Sequence, residues 1–373
     1  MVINIFIAHM GIGGSERVCV NLANEWAALD HEVHIVVLNL DNDINTRLLD
    51  KRVQVHELGV SRLRYAFIPM YRYIRRHKPQ FMFIFGMEMA VIMNKLKSFR
   101  LINTPMIVRI LNNVNISLSK EENVSPIVEN YLKNSQKQMK SMDAIVAQCR
   151  QMGDMLLDKQ VVSEEQLHVI YNPVSKALIE ATDSLRLTRE HTGSREITFI
   201  GRIDPQKNVS DLISAYAIVA DRLSDVTLRL VGGGIQQEAI EKQVAELGLS
   251  DRVIFDGIRQ DMEAVYASSD VVVLSSDYEG MPNCLIEAIG CGIPIVSYDC
   301  PIGPAEIVVD GENGYLIKQG DTEALAQGMI DALNREWSVE SVKKTCAKFD
   351  VSNIAKQYIE IFEEICQIVA VNQ

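Results

Sequence analysis

The sequence predicts an α/β protein of two lobes, each built around a parallel sheet. Three observations carry this. Short apolar, β-rich runs alternate with helix-period segments along the chain, the pattern of consecutive βαβ units. The alternation breaks at Asn172-Pro173, crosses a polar stretch at 182–195 and restarts at Glu196. A length of 373 residues also exceeds what one hydrophobic core ordinarily organises.

In the first half, strands are expected at 3–8, 33–40, 80–85, 106–109 and 144–147. A helix at 15–28 follows the Gly-rich turn after the first of them, with Glu16 in its first turn, where an acid suits the helix dipole. The stretch 182–195 reads as a linker or hinge. In the second half, strands are expected at 196–200, 227–231, 253–255, 271–274, 293–297 and 314–317, with helices at 209–223, 235–246, 262–268, 283–289 and 322–334. Residues 354–369 have helical periodicity and are expected to pack back across the junction. The lobes are therefore 1–175, joined by a helix at about 354–373, and 176–353. Two Rossmann-like lobes with parallel sheets, facing each other across a cleft, is the architecture expected.

Composition narrows the function. Hydrophobic residues make up 47% and charged residues 23%, as in an ordinary globular protein. The seven Cys lack C-x-x-C or Cys/His ligand spacing, which argues for reduced thiols and against a disulfide framework or zinc site. The N-terminus reads as a first strand, not a signal peptide, since it lacks a basic region before its apolar run. No apolar run reaches bilayer-spanning length. The net charge of −12 is uneven: residues 1–173 hold 20 Lys and Arg against 17 Asp and Glu, and the remainder 17 against 32. Nucleic acid is not the expected partner. One basic–aromatic segment, 62–78, carries six Lys and Arg and no acid, which suits anionic lipid head groups or simply a solvated amphipathic helix.

The chemistry concentrates in residues 275–306. Glu279 and Glu287 lie eight residues apart across a turn that opens a helix. Pro282 suits a first helical position, where its missing N–H costs nothing. Asn283, Cys284 and Leu285 would then present backbone N–H groups, which is how helix mouths hold phosphate oxygens. One acid near the phosphate and one a turn deeper suit a sugar–diphosphate–ribose ligand; the alternative is two acids with no shared task. Gly13 and Gly14 also follow a strand and open a helix. A dinucleotide fingerprint fails there, because Glu16 stands at its last position, and fails again at Gly232 and Gly234, where Gln237 does.

Glu279-Gly280-Met281-Pro282, Glu287-Ala288 and Gly292-Ile293-Pro294-Ile295-Val296 together resemble the donor-site signature of retaining glycosyltransferases of family 4, the glycogen synthase/WaaG-like group. Further landmarks follow the same order: 13–17, Gly201-Arg202-Ile203-Asp204 with Lys207-Asn208, and Val231 to Gly234. The resemblance implies the fold called GT-B and a metal-independent reaction without cofactor. It matches Arg202 and Lys207 to the phosphate-binding cations, Glu279 to the acid facing the donor sugar, and Glu287 to the acid on the ribose hydroxyls. Gly13, Gly14, Ile258, Gly280, Met281 and the 282–285 turn would complete the donor site. No D-x-D motif stands at an equivalent position. The His that many relatives carry in the first lobe has no counterpart: residues 108–115 offer Arg109, Asn112 and Asn113 as acceptor-side candidates. His9 is expected to be a packed histidine. The resemblance implies a nucleotide sugar donor, most simply UDP-linked. It also implies a polyprenyl-diphosphate-linked glycan acceptor at the inner face of a bacterial membrane, reached by a cytoplasmic, peripheral enzyme. Cys300 to Glu306 resembles the segment of transferases handling galactose-type or N-acetylated donors. A sugar-nucleotide epimerase and a non-catalytic sugar-nucleotide scaffold are the competing readings.

Overall fold

The computed structural model describes residues 1–41, 44–111, 137–188 and 193–371. The chain divides into two compact units, Met1–Pro173 with Val351–Gln373, and Val174–Asp350.

The first unit holds a parallel sheet of seven strands in the order β3-β2-β1-β4-β5-β6-β7. These are β1 Val2–Phe6, β2 Glu32–Val37, β3 Gln54–Glu57, β4 Met82–Phe85, β5 Met106–Arg109, β6 Ala144–Ala147 and β7 Leu167–Val169. Among the described residues, helices α1 Gly14–Ala28, α2 Phe67–His77, α3 Met87–Ser98 and α4 Arg150–Asp158 connect them. Strands β3 and β7 have no counterpart in the sequence reading. Both are edge strands, short and half-exposed, so they lack the apolar run that marks the buried ones.

The second unit holds a parallel sheet of six strands in the order β10-β9-β8-β11-β12-β13. They are β8 Arg195–Ile200, β9 Val226–Val231, β10 Val253–Gly257, β11 Val271–Leu274, β12 Ile295–Asp299 and β13 Gly314–Lys318. Helices α5 Lys176–Arg186, α6 Val209–Arg222, α7 Gln237–Glu246, α8 Met262–Ser268, α9 Asn283–Gly290, α10 Pro304–Ile307, α11 Thr322–Asn334 and α12 Val339–Lys344 complete it. Part of the expected linker is thus helical. Ser175 caps α5 by accepting from the Leu178 N–H, and Thr182 is fully buried in it, its hydroxyl donating to the Leu178 carbonyl.

The last helix, α13 Val351–Val371, returns to the first unit. Trp26 on α1 donates its indole N–H to the Ala355 carbonyl at 3.1 Å and lies 5.5 Å, ring to ring, from Phe362. Phe81, Phe83 and Tyr358 close the same aromatic cluster, all fully buried. Each such buried Phe contributes roughly 1.5–3 kcal/mol, which fixes α13 here.

In each sheet the strand order reverses beside the first strand, between β1 and β4 and between β8 and β11. Loops leaving two such strands run in opposite directions and open a crevice at the strands' carboxyl ends, where α/β sheets bind ligands.

Candidate active site

The second unit's reversal point gathers most of the residues singled out in the sequence. The loop after β8 carries Arg202 and Lys207; the loop after β11 carries Glu279 and leads into α9. The Lys207 ammonium meets Glu279 Oε1 at 2.5 Å, with the two side chains only 13% and 5% exposed. Ser276 Oγ donates to the same carboxylate oxygen at 2.6 Å, and Ser275 Oγ donates to the Lys207 carbonyl at 2.9 Å. The Asp277 N–H donates to the Gln206 carbonyl and Gln206 Nε2 to the Tyr278 carbonyl, both at 2.9 Å. Burial alone would lower the Lys207 pKa, but the carboxylate of Glu279 overrides it and holds the ammonium above its usual value. Lys207 therefore keeps its charge throughout the neutral range.

Arg202 differs from Lys207. Its side chain is 67% exposed, paired with Asp204 at 3.0 Å and hydrogen-bonded to Gln206 at 2.8 Å. The local fold explains the arrangement. Asp204 caps the short Pro205–Lys207 turn by accepting from the Lys207 N–H, and Asn208 adopts a left-handed φ of 44° before α6 begins.

At the start of helix α9 the cap residue makes no side-chain cap, and the Leu285 N–H donates to the Pro282 carbonyl at 3.2 Å. Pro282 is its cap residue, with φ −72° and ψ 105°, one position earlier than the sequence reading placed it. Its ψ is extended because the chain still has to turn in from the β11 loop. Gly280 and Met281 are buried beside it. Gly303, at φ +100°, brings the turn after β12 so close that a Cβ there would lie 2.6 Å from the Gly280 carbonyl oxygen. Glu287, 9% exposed, accepts a hydrogen bond at 2.7 Å from the hydroxyl of Tyr266, itself fully buried on α8. Nothing in the sequence spacing pointed to Tyr266 or Ser276. Ile258 is 60% exposed at the end of β10, next to the Gly232–Gly234 turn. Its neighbour Arg259 is closed off in pairs with Asp256 and Asp261.

In the first unit, Gly13 is the N-terminal cap residue of α1 and Gly14 its first residue, at the reversal point beside β1. The Glu16 carboxylate lies over Gly13: a Cβ there would sit 2.3 Å from it. That negative charge opposes a phosphate contact at Gly13 while Glu16 keeps this rotamer.

Two first-unit readings change. His9 is exposed and lies beyond the end of β1, so it is not packed. Arg109, the last residue of β5, is 1% exposed and therefore does not face an acceptor. Its guanidinium stands 5.2 Å over the Phe85 ring and donates to the Asn172 side chain. Asn172 in turn donates to Gln148 at 3.2 Å, and Gln148 to the Ile110 carbonyl at 2.6 Å. Burial pulls the Arg109 pKa below the usual value, partly offset by the neighbouring Tyr358 hydroxyl. Arg109 is an interior brace across the ends of β5 and β6. Arg109→Ala is expected to cost about 2–4 kcal/mol in urea unfolding, from the cavity and the loss of the donor to the Asn172 side-chain oxygen. A raised acceptor KM with unchanged stability would restore the acceptor role. Asn112 and Asn113 lie outside the described residues.

The family model described as Glycosyltransferase Family 4 matches residues 12–178, and that described as Glycosyl transferases group 1 matches 184–349. A lipopolysaccharide 1,6-galactosyltransferase of Escherichia coli K12 is 32% identical over 184 residues, 47% of each chain. An N-acetylgalactosamine-N,N'-diacetylbacillosaminyl-diphospho-undecaprenol 4-alpha-N-acetylgalactosaminyltransferase of Campylobacter jejuni is 25% identical over 383 residues, 96% of this chain and 98% of that one. The chain spans less than half the length of several other curated relatives it matches, 19% in one and 30% in another. The crystal structure of Anabaena Alr3699/HepE with UDP and glucose shares the fold, with a TM-score of 0.78 at 21% identity over 98% of this chain and 100% of that one.

Proposed function

The chain belongs to the group 1 glycosyltransferases and has the GT-B fold, and we propose that it is a retaining transferase. It moves a hexose or N-acetylhexosamine from a nucleotide sugar, UDP-linked in the simplest case, to a lipid-linked glycan used in bacterial surface polysaccharide synthesis. The observation that carries this reading is the buried Lys207–Glu279 pair spanning the β8/β11 crevice, beside the mouth of α9.

Departure of a nucleoside diphosphate breaks the bond from the anomeric carbon to a phosphate oxygen and leaves negative charge there. Lys207, in a site with little water, stabilises that charge strongly; Arg202, more exposed, adds a weaker and more screened attraction. The positive end of α9 acts in the same direction through the amides of Asn283 and Cys284, whereas the Leu285 N–H donates to the Pro282 carbonyl at 3.2 Å. These groups do the work a metal does elsewhere, so the reading calls for no metal and no cofactor. Glu279 holds Lys207 and faces the donor sugar, where its charge favours the cationic character of the anomeric carbon. The acceptor hydroxyl attacks from the face the diphosphate leaves and passes its proton to the departing phosphate oxygen, which retains configuration without a protein base. Glu287 takes the ribose hydroxyls, and the main chain around Ile258 the base.

The acceptor assignment leans on the Campylobacter relative, whose name specifies an undecaprenyl-linked substrate. A lipid-linked acceptor calls for a membrane-facing surface. Among the described residues no helix is long and apolar enough to cross a membrane. Helix α2 offers a peripheral alternative: Met70, Tyr73 and Ile74 are buried, Arg75 and Arg76 lie in its last turn, and Ile68 on it and Tyr65 in the turn before it are 58% and 56% exposed. Replacing Arg72, Arg75 and Arg76 with Gln should weaken sedimentation with anionic liposomes, most strongly at low salt, and leave donor hydrolysis intact. Unchanged sedimentation removes α2 as the membrane face.

The function is tested by nucleotide release from UDP-glucose, UDP-galactose, their N-acetylamino forms and GDP-mannose, with and without polyprenyl-diphosphate acceptors. Transfer with retained anomeric configuration is the expected result. Donor binding with no turnover across the acceptors would favour a scaffold.

A further inference from the structure

The buried hydroxyl of Tyr266 has no role in the reading above, yet it ends on one of the two acids that the reading uses. We propose that Tyr266 is a positioning residue that fixes the Glu287 carboxylate for the ribose diol of a bound nucleoside diphosphate. The inference rests on the proposed function, because it needs a nucleotide at Glu287.

The geometry is specific. A tyrosine hydroxyl has one proton to donate and, when buried, needs an acceptor for it. Two acceptors lie near it, Glu287 Oε2 at 2.7 Å and the Cys284 carbonyl oxygen at 3.4 Å. The shorter contact is of ordinary strength for a donor meeting a charged oxygen, and the longer is marginal. Tyr266 and Glu287 stand on different helices, α8 and α9. The contact therefore ties the carboxylate to a neighbour that does not shift with its own backbone. The tyrosine stays a donor over the working range, since burial and the adjacent carboxylate raise its pKa well above the usual value.

A carboxylate has about four acceptor positions, and Tyr266 occupies one. The constraint falls on orientation. A free Glu side chain samples many rotamers, and two hydroxyls of a ribose bind well only to a carboxylate already turned toward them. Tyr266 removes the competing orientations by holding one oxygen from behind. The same contact gives a carboxylate that is only 9% exposed a hydrogen-bond donor, so it stays aimed while the site is empty.

The test separates a positioning role from general packing, and the inference from the function it rests on. UDP, GDP and ADP are titrated calorimetrically against the intact protein, and the tightest binder is compared with its 2′,3′-dideoxy analogue. The wild type should prefer the ribose form by tenfold or more. Tyr266→Phe keeps the ring and loses only the hydroxyl. It should bind the ribose form about tenfold more weakly and the dideoxy form unchanged, the loss expected for one hydrogen bond to a charged group. Glu287→Gln should remove the same preference, and adding Tyr266→Phe to it should change nothing further; this arm stands even if Tyr266→Phe alone folds poorly.

If none of the three nucleotides binds, the nucleotide reading fails. If one binds and the wild type does not discriminate the two sugars, Glu287 is not the ribose acid. If the wild type discriminates and Tyr266→Phe discriminates equally, or weakens both ligands equally, the positioning role of Tyr266 is overturned while the function stands.

Discussion

Lys207→Ala lowers turnover by about a hundredfold or more, the scale expected when one charged group is removed from a developing oxyanion. The size follows from burial. The Lys207 side chain is 13% exposed and its partner Glu279 5%, so little water replaces the lost charge. The same substitution strands a buried carboxylate, which costs about 3–5 kcal/mol when one partner of a buried pair is removed. The two consequences separate experimentally. Lys207→Ala/Glu279→Gln should recover most of the urea midpoint and stay slow. Initial rates measured well below the unfolding transition check the first part, and urea titration the second. An unchanged rate in the single variant removes Lys207 from the mechanism.

Gly232→Ala should disrupt the site through the backbone alone. Gly232 sits at φ +134°, and a Cβ there would lie 1.9 Å from the Gly201 carbonyl oxygen. The strained φ costs about 1–3 kcal/mol and the forced displacement a comparable amount, so a loss of about 3 kcal/mol or more is expected. The consequence is local and functional. The Gly201 N–H donates to the Val231 carbonyl and the Ile203 N–H to the Gly233 carbonyl, so the β9 turn props the loop that carries Arg202 and Lys207. Pushing the turn away moves both cations. Urea unfolding and calorimetric titration with the donor nucleotide should both weaken, nucleotide affinity by about tenfold or more. Normal affinity in a destabilised protein would mean that the loop holds its place without the turn.

The parallel sheets were legible because buried strands of an α/β protein are continuous apolar runs; 106–109, 144–147 and 271–274 are strands to the residue. Edge strands β3 and β7 escaped because half-exposed strands carry polar residues. The polar stretch at 182–195 misled for a related reason. Of the eleven residues of α5 five are exposed and only Thr182, which reads as polar, is buried.

In the site, spacing revealed Glu279 and Glu287 but not their partners. Lys207 and Glu279 are 72 residues apart and meet only because β8 and β11 are neighbours in the sheet. Tyr266 reaches Glu287 from a separate helix, a contact no local pattern encodes. Arg109 shows the opposite failure. A cation at a strand end reads as a ligand-facing group, and its burial beneath Asn172 and over Phe85 follows from packing the sequence does not display.

A crystal structure of the protein soaked with its nucleotide sugar decides whether Lys207 and the mouth of α9 hold the diphosphate. Diphosphate oxygens should lie about 3 Å from Lys207 Nζ and from main-chain N–H groups in the first turn of α9, with the ribose on Glu287. A nucleotide bound elsewhere, with Lys207 engaged only by Glu279, would contradict it.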